Sequence, residues 1–169
     1  MSYASLAAEN QATAPQKEQR DFFKPGNYLY RVESASEFET HKDNQKNPSA
    51  SAFKVSGEVV AQIGGQITDD EGNTLERNEV GEAPALVMVH NKRNEKGGWF
   101  FIKDVSRTVG QLTGVDPEQV TEGLIAEVTL GKILEGQVFH LKVKRASWSK
   151  TATECVFSQP TKAQLKLVK

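Results

Sequence analysis

Two stretches of the chain set cations beside aromatic rings. In the first, Lys92, Arg93 and Lys96 lead through Gly97 and Gly98 into Trp99, Phe100 and Phe101; in the second, His140, Lys142, Lys144 and Arg145 precede Trp148. Ammonium and guanidinium groups neutralise phosphates, and an exposed indole offers a face on which any base can stack. Together they are the ingredients for holding an unpaired nucleic-acid strand without reading its sequence. For Lys142 and Lys144 alone the plainer explanation is the solvated face of an antiparallel sheet, and it is the recurrence of the pairing that favours binding. Trp99, Phe100 and Phe101 are neighbours and cannot all face one way, so at least one belongs to a core and Trp99, at the glycine junction, is the expected exposed ring. The candidate contacts are therefore phosphates on Lys54, Lys92, Arg93, Lys142, Lys144 and Arg145, with bases on Tyr28, Tyr30, Trp99 or Trp148.

Other chemistry finds little support. His41, His90 and His140 lack metal-ligand spacing, and Cys155 has no second cysteine with which to form a zinc site or a disulfide. A small buried thiol inside a strand is the expected state of Cys155. Asp69, Asp70 and Glu71 fall short of a calcium-loop pattern and read as a solvated acidic loop. Gly64-Gly65 and Gly97-Gly98 lack the lysine and serine of a phosphate-cradling loop and read as turn glycines. No catalytic residue, metal or cofactor is assigned, and the chain is expected not to be an enzyme. A metal-dependent nuclease built on Asp69, Asp70 and Glu71 is the weaker enzymatic rival, since paired metals can serve phosphodiester cleavage.

The elements that would position these residues are mostly strands. Val138 to Val143 alternates Phe139, Leu141 and Val143 against His140, Lys142 and Lys144, a half-buried strand with a basic outer face. Ser149-Lys150 can turn the chain into a partner strand over Thr151 to Gln159, ended by Pro160. Upstream, strands are expected at Tyr28 to Phe38, Ala52 to Ala61 and Pro84 to Asn91. The first puts Tyr28, Tyr30 and Val32 opposite Leu29, Arg31 and Glu33. In the second, Gly57 sits where a bulge or bend would fit, and the third is apolar enough to be covered on both faces. A polar loop, His41 to Ser51, joins the first two strands. Gln62 to Glu82 is a Gly-rich acidic excursion, either a hairpin around Asp70 to Asn73 or a flexible loop. Phe101 to Leu112 has helical spacing, and Asp116-Pro117-Glu118 opens a second short helix, with Gly131 or Gly136 as its stop.

With 169 residues and a formal charge of −1, the chain is the size of one ordinary domain and is not a bulk basic protein, so any nucleic-acid site has to be a local concentration of charge. Residues 1–20 read as a flexible arm and 21–160 as the folded domain. Residues 161–169, with Leu165 and Leu167 alternating against Lys166 and Lys169, read as a tail or edge strand. No run reaches the roughly 20 apolar residues of a membrane span, and Met1 to Arg20 lacks the basic start and apolar stretch of a signal peptide, so a cytoplasmic protein with no membrane partner is expected.

Three strands, a helical segment and a final hairpin give the order β-β-β-α-β-β, that of a five-stranded OB-fold barrel: mainly β with a short helical insertion. Through PGNYLYRVESASEF, AFKVSGEVV, DVSRTVGQLTG and LEGQVFHLKV the chain resembles a family of small bacteriophage proteins encoded among replication and recombination genes, several of them OB-fold single-stranded DNA-binding proteins. The resemblance covers most of Lys24 to Pro160. It implies sequence-independent binding of single-stranded DNA in the cytoplasm of an infected cell, alongside phage replication or recombination proteins, with self-association open. The chain departs from bacterial-type single-strand binders in ending KAQLKLVK rather than in an acidic partner-recruiting tail. The rival from another class is an OB-fold protein-interaction or virion-assembly module that uses the 62–82 excursion and does not bind nucleic acid.

Overall fold

The structure, a computed structural model, describes residues 21–39, 51–90, 102–146 and 153–168. Its centre is a five-stranded antiparallel sheet made of β1 (Gly26–Glu39), β2 (Ser51–Ile63), β3 (Leu86–His90), β4 (Val138–Arg145) and β5 (Thr153–Ser158), in the order β3-β2-β1-β4-β5. The two edges, β3 and β5, are not hydrogen-bonded to each other, so the sheet is open. The two longest strands lie side by side and carry the curvature. The β1–β2 register shifts at Leu29/Tyr30 and again at Val32/Ser34, each shift leaving an extra residue that bends the pair.

Gly57 lies between those two shifts, opposite Val32. A Cβ at this position would run into the Arg31 carbonyl and come within 2.7 Å of Tyr30 Cε1, so only glycine lets the strands and the tyrosine ring approach this closely.

Alternation sorts the side chains onto two faces. The core face carries Tyr28, Tyr30 and Val32 of β1, Phe53, Val55 and Val59 of β2, Met88 of β3, Phe139, Leu141 and Val143 of β4, and Phe157 of β5. Helix α1 (Ile102–Thr113) covers this face with Val105, Val109 and Leu112, and it reaches both open edges. Thr108 Oγ1 stands 4.0 Å from Met88 Sδ of β3, and Gln111 Oε1 accepts a 2.9 Å hydrogen bond from the Phe157 backbone N–H of β5. An edge amide that no strand pairs is thus satisfied by a helix side chain. Expectation and structure agree on this helix.

Asp116 accepts from the Glu118 N–H at 3.0 Å, but the turn it caps is a short 3₁₀ segment, Pro117–Gln119. Helix α2 (Glu122–Thr129) follows, capped by Thr121, and buries Val128. Between α2 and the bulged part of β1 lies a cleft of about 190 Å³ lined by Ser34, Ser36, Val128 and Leu134.

Two expectations need correction. Within residues 161–169, expected as a tail or edge strand, residues 162–165 form a short helix, α3, so the edge-strand alternative falls. Thr161 accepts from the Gln164 N–H at 3.1 Å while the Gln164 side chain accepts from the Thr161 N–H at 2.9 Å, and this reciprocal cap overrides a two-residue alternation. Strand β3 is an edge strand with Val87 exposed, so it is not covered on both faces. The acidic excursion, left open between a hairpin around Asp70 to Asn73 and a flexible loop, takes the hairpin form at that point: Thr68 and Thr74 are bridged, and the Asp69 N–H donates to the Asn73 carbonyl at 2.9 Å. The arm over residues 1–20, the loop between β1 and β2 and the Ser149-Lys150 turn lie outside the described residues.

Candidate nucleic-acid interface

The outer face of the sheet can be read from register. Asn27, Leu29 and Arg31 of β1 lie opposite Lys142, His140 and Val138 of β4, and on the other side Arg31 lies opposite Glu58 of β2. His140, Lys142 and Lys144 in turn lie opposite Ser158, Val156 and Glu154 of β5. Arg31 pairs with Glu58 at 3.4 Å and Lys144 with Glu154 at 3.6 Å. Lys142 is exposed and, among the described residues, has no carboxylate partner within ion-pair distance, and the same is true of the half-buried Lys54. Lys54 shares this face but stands opposite Ser36. The nine steps along β1 from Asn27 to Ser36 separate it from Lys142 by on the order of 30 Å along the strand at ~3.3 Å per residue. The cations therefore mark two ends of a track and do not form one cluster.

Arg145 belongs elsewhere. It follows Phe139, Leu141 and Val143 in the alternation, so it projects to the side opposite Lys142 and Lys144, where the core ends and it is exposed. Its positive charge is felt there by Asp69 of the acidic turn. The Asp69 carboxyl is held below the usual carboxylate range chiefly by the Asn73 N–H, with smaller contributions from the Asn73 side chain, the Glu71 N–H and Arg145. Both oxygens are engaged within the turn: Oδ1 accepts from the Glu71 and Asn73 backbone at 3.0 and 2.8 Å, and Oδ2 faces Asn73 Nδ2 at 3.4 Å. This is turn chemistry. Among the described residues no group of three or more His, Cys, Asp or Glu side chains could hold a metal ion.

Tyr28 and Tyr30 are not base-stacking platforms, because both are fully buried. Tyr28 donates its hydroxyl to the Lys24 carbonyl at 2.7 Å and accepts from the Asn78 N–H at 3.0 Å. Tyr30 donates to the Pro84 carbonyl at 2.6 Å. Burial raises the pKa of both phenols. The two rings fill the core while their hydroxyls fasten the excursion that precedes β3.

Asn78 completes this fastening. It is fully buried within an acidic stretch, and each of its polar groups is used. Its Oδ1 accepts from the Lys24 N–H at 2.8 Å, and its Nδ2 donates to the Phe22 carbonyl and to Glu82 Oε2, each at 2.7 Å. Its own carbonyl accepts from Gln62 Nε2 at 2.7 Å. Cys155 packs at the edge of the core as expected, and burial pushes its thiol up to about 12.

Of the ten candidate residues, the structure brings Lys142 and Lys144 together, places Lys54 at the far end of the same face, turns Arg145 to the other side and buries Tyr28 and Tyr30. Lys92, Arg93, Trp99 and Trp148 lie outside the described residues. Arg31, Asn27 and Ser158 join the face without having been singled out. The alternation of β1 already put Arg31 on the outer side, whereas Asn27 and Ser158 required the register. The chain matches no family model and no curated protein.

Proposed function

We propose that this protein binds single-stranded DNA without sequence preference across the outer face of its sheet, as an OB-fold protein of phage replication or recombination. The observation that carries the reading is Lys142, exposed on a strand face where the neighbouring cations Arg31 and Lys144 already neutralise the nearby carboxylates. The strand order supports it. The open order β3-β2-β1-β4-β5, with a helix between β3 and β4, is compatible with an OB barrel whose β3 and β5 edges are not joined, and α1 touches both of those edges. Fold alone does not confer function, so the weight rests on the charge of the face and on the basic-aromatic segments 92–99 and 142–148 that flank it in sequence. Phosphates would run between Lys142 and Lys54, and bases would stack on Trp99 or Trp148. The phage setting rests on the sequence resemblance.

Titrating a single-stranded oligonucleotide into the protein while following tryptophan fluorescence tests the reading. Quenching that weakens steeply with salt is expected, because phosphate neutralisation releases counterions. Unchanged fluorescence at low salt would count against it. A gel-shift comparison of single-stranded DNA, duplex DNA and RNA separates strand binding from general polyanion affinity.

A further inference from the structure

We infer that Asn27, His140, Lys142 and Ser158, drawn from three adjacent strands, form a seat for one phosphodiester group of the bound strand. The inference rests on the proposed function and assigns that face a specific contact. Asn27 and Lys142 are direct register partners on β1 and β4, and His140 and Ser158 are direct partners on β4 and β5. Side chains so paired stand about 4.5–5.5 Å apart at Cβ, close enough to share one small ligand.

The imidazole is held from both sides. His140 Nε2 faces Asn27 Oδ1 at 3.3 Å, and Ser158 Oγ faces Nδ1 at 3.5 Å. The Asn27 oxygen can only accept, so Nε2 is the donor in that contact. This arrangement occupies the acceptor oxygen of Asn27 and leaves its amide N–H groups directed away from the ring. On the neighbouring strand, Lys142 is the direct register partner of Asn27. Among the described residues no carboxylate is left to match these donors, since the nearby Glu58 and Glu154 are held by Arg31 and Lys144. A tetrahedral anion supplies what the cluster lacks: several acceptor oxygens and a negative charge. Lys142 would neutralise it, the Asn27 amide would fix its orientation, and His140 would keep the amide turned outward.

The test measures affinity for a single-stranded oligonucleotide over a range of salt concentrations, with the full chain and its variants. Asn27→Asp, which keeps the shape and replaces the amide donors with negative charge, is expected to weaken binding ten-fold or more. Lys142→Gln is expected to weaken it about five-fold and to reduce the slope of log affinity against log salt by about one contact's worth. Ser158→Ala should weaken it about two-fold, whereas Lys132→Gln, an exposed change in the turn after α2, should bind as the parent does. Millimolar inorganic phosphate should compete against the parent more strongly than chloride of equal ionic strength. If Asn27→Asp shifts the thermal melt, the exposed Lys142→Gln and Ser158→Ala decide the matter. A parent that binds with salt dependence while all three variants match it overturns the seat and leaves the proposed function intact. A parent with no affinity at low salt overturns both.

Discussion

The two faces of β1 use neighbouring residues for opposite purposes. On the core face, Tyr28 and Tyr30 are sealed, and their hydroxyls are tied to Lys24, Asn78 and Pro84. One residue out of phase, Asn27 and Arg31 stand on the outer face among His140, Lys142 and Glu58. Hydrogen bonds on the core face fasten to β1 a segment that lies outside the strands, through Asn78 and Pro84. Those on the outer face span only adjacent strands and leave donors directed at solvent. The core face is thus built for stability, and under the proposed function the outer face serves contact, so substitutions on the two should separate cleanly.

The largest effect is expected at Asn78. Asn78→Ala strands the Lys24 N–H and the Phe22 carbonyl and removes the partner of Glu82. It should lower stability by about 4 kcal/mol in a denaturant titration while leaving oligonucleotide affinity of the folded fraction unchanged. Gly57→Ala should follow at about 3 kcal/mol, because its methyl group meets the Arg31 carbonyl and the Tyr30 ring, both fixed in place. Tyr30→Phe leaves the Pro84 carbonyl without its donor and should lower stability by about 1.5 kcal/mol, again without altering affinity. Finding that Tyr30→Phe weakens binding more than it destabilises the fold would erase the distinction between the faces.

pH gives a further handle on the core face. Burial raises the pKa of Tyr28 and Tyr30 above their ordinary 10.0 and that of Cys155 above its ordinary 9.0. The unfolded chain therefore releases these protons at lower pH than the folded one. The stabilisation is complete below about pH 9, begins to fall as unfolded Cys155 ionises, and falls further above about pH 10 as the unfolded tyrosines follow. Denaturation midpoints measured from pH 8 to 11 should show this decline, and Cys155→Ala should remove its earliest part. A flat profile would place these groups in water.

The smallest stability change is expected on the outer face. Glu58→Gln removes an exposed ion pair of the kind that contributes well under about 1 kcal/mol, so stability should hardly move. It frees Arg31, however, and should tighten single-strand binding about two- to three-fold with a steeper salt slope.

Much of the sheet was legible in the sequence, because period-two alternation reports directly which residues share a face. Tyr28, Tyr30 and Val32 were grouped correctly, as were Phe139, Leu141 and Val143. Alternation is silent on which face is covered, and tyrosine suits either side. That is how two core residues came to be read as stacking platforms. Arg145 was drawn to Lys144 by adjacency, although one residue along a strand is a change of face. The role of Asn78 was out of reach for a different reason. A polar residue in an acidic stretch gives no local sign of burial, and its partners at Phe22 and Lys24 are 56 and 54 residues away. At Thr161, a local signature was present in the Thr-x-x-Gln spacing and was outweighed by the alternation of Leu165 and Leu167.

The division between the faces is tested most directly by fluorescence anisotropy of a labelled single-stranded oligonucleotide titrated with the parent, Lys142→Glu and Tyr30→Phe at two salt concentrations. Tyr30→Phe should bind as the parent does, and Lys142→Glu at least ten-fold more weakly with a shallower salt dependence. Parent-like binding by Lys142→Glu would contradict the assignment of the outer face as the contact surface.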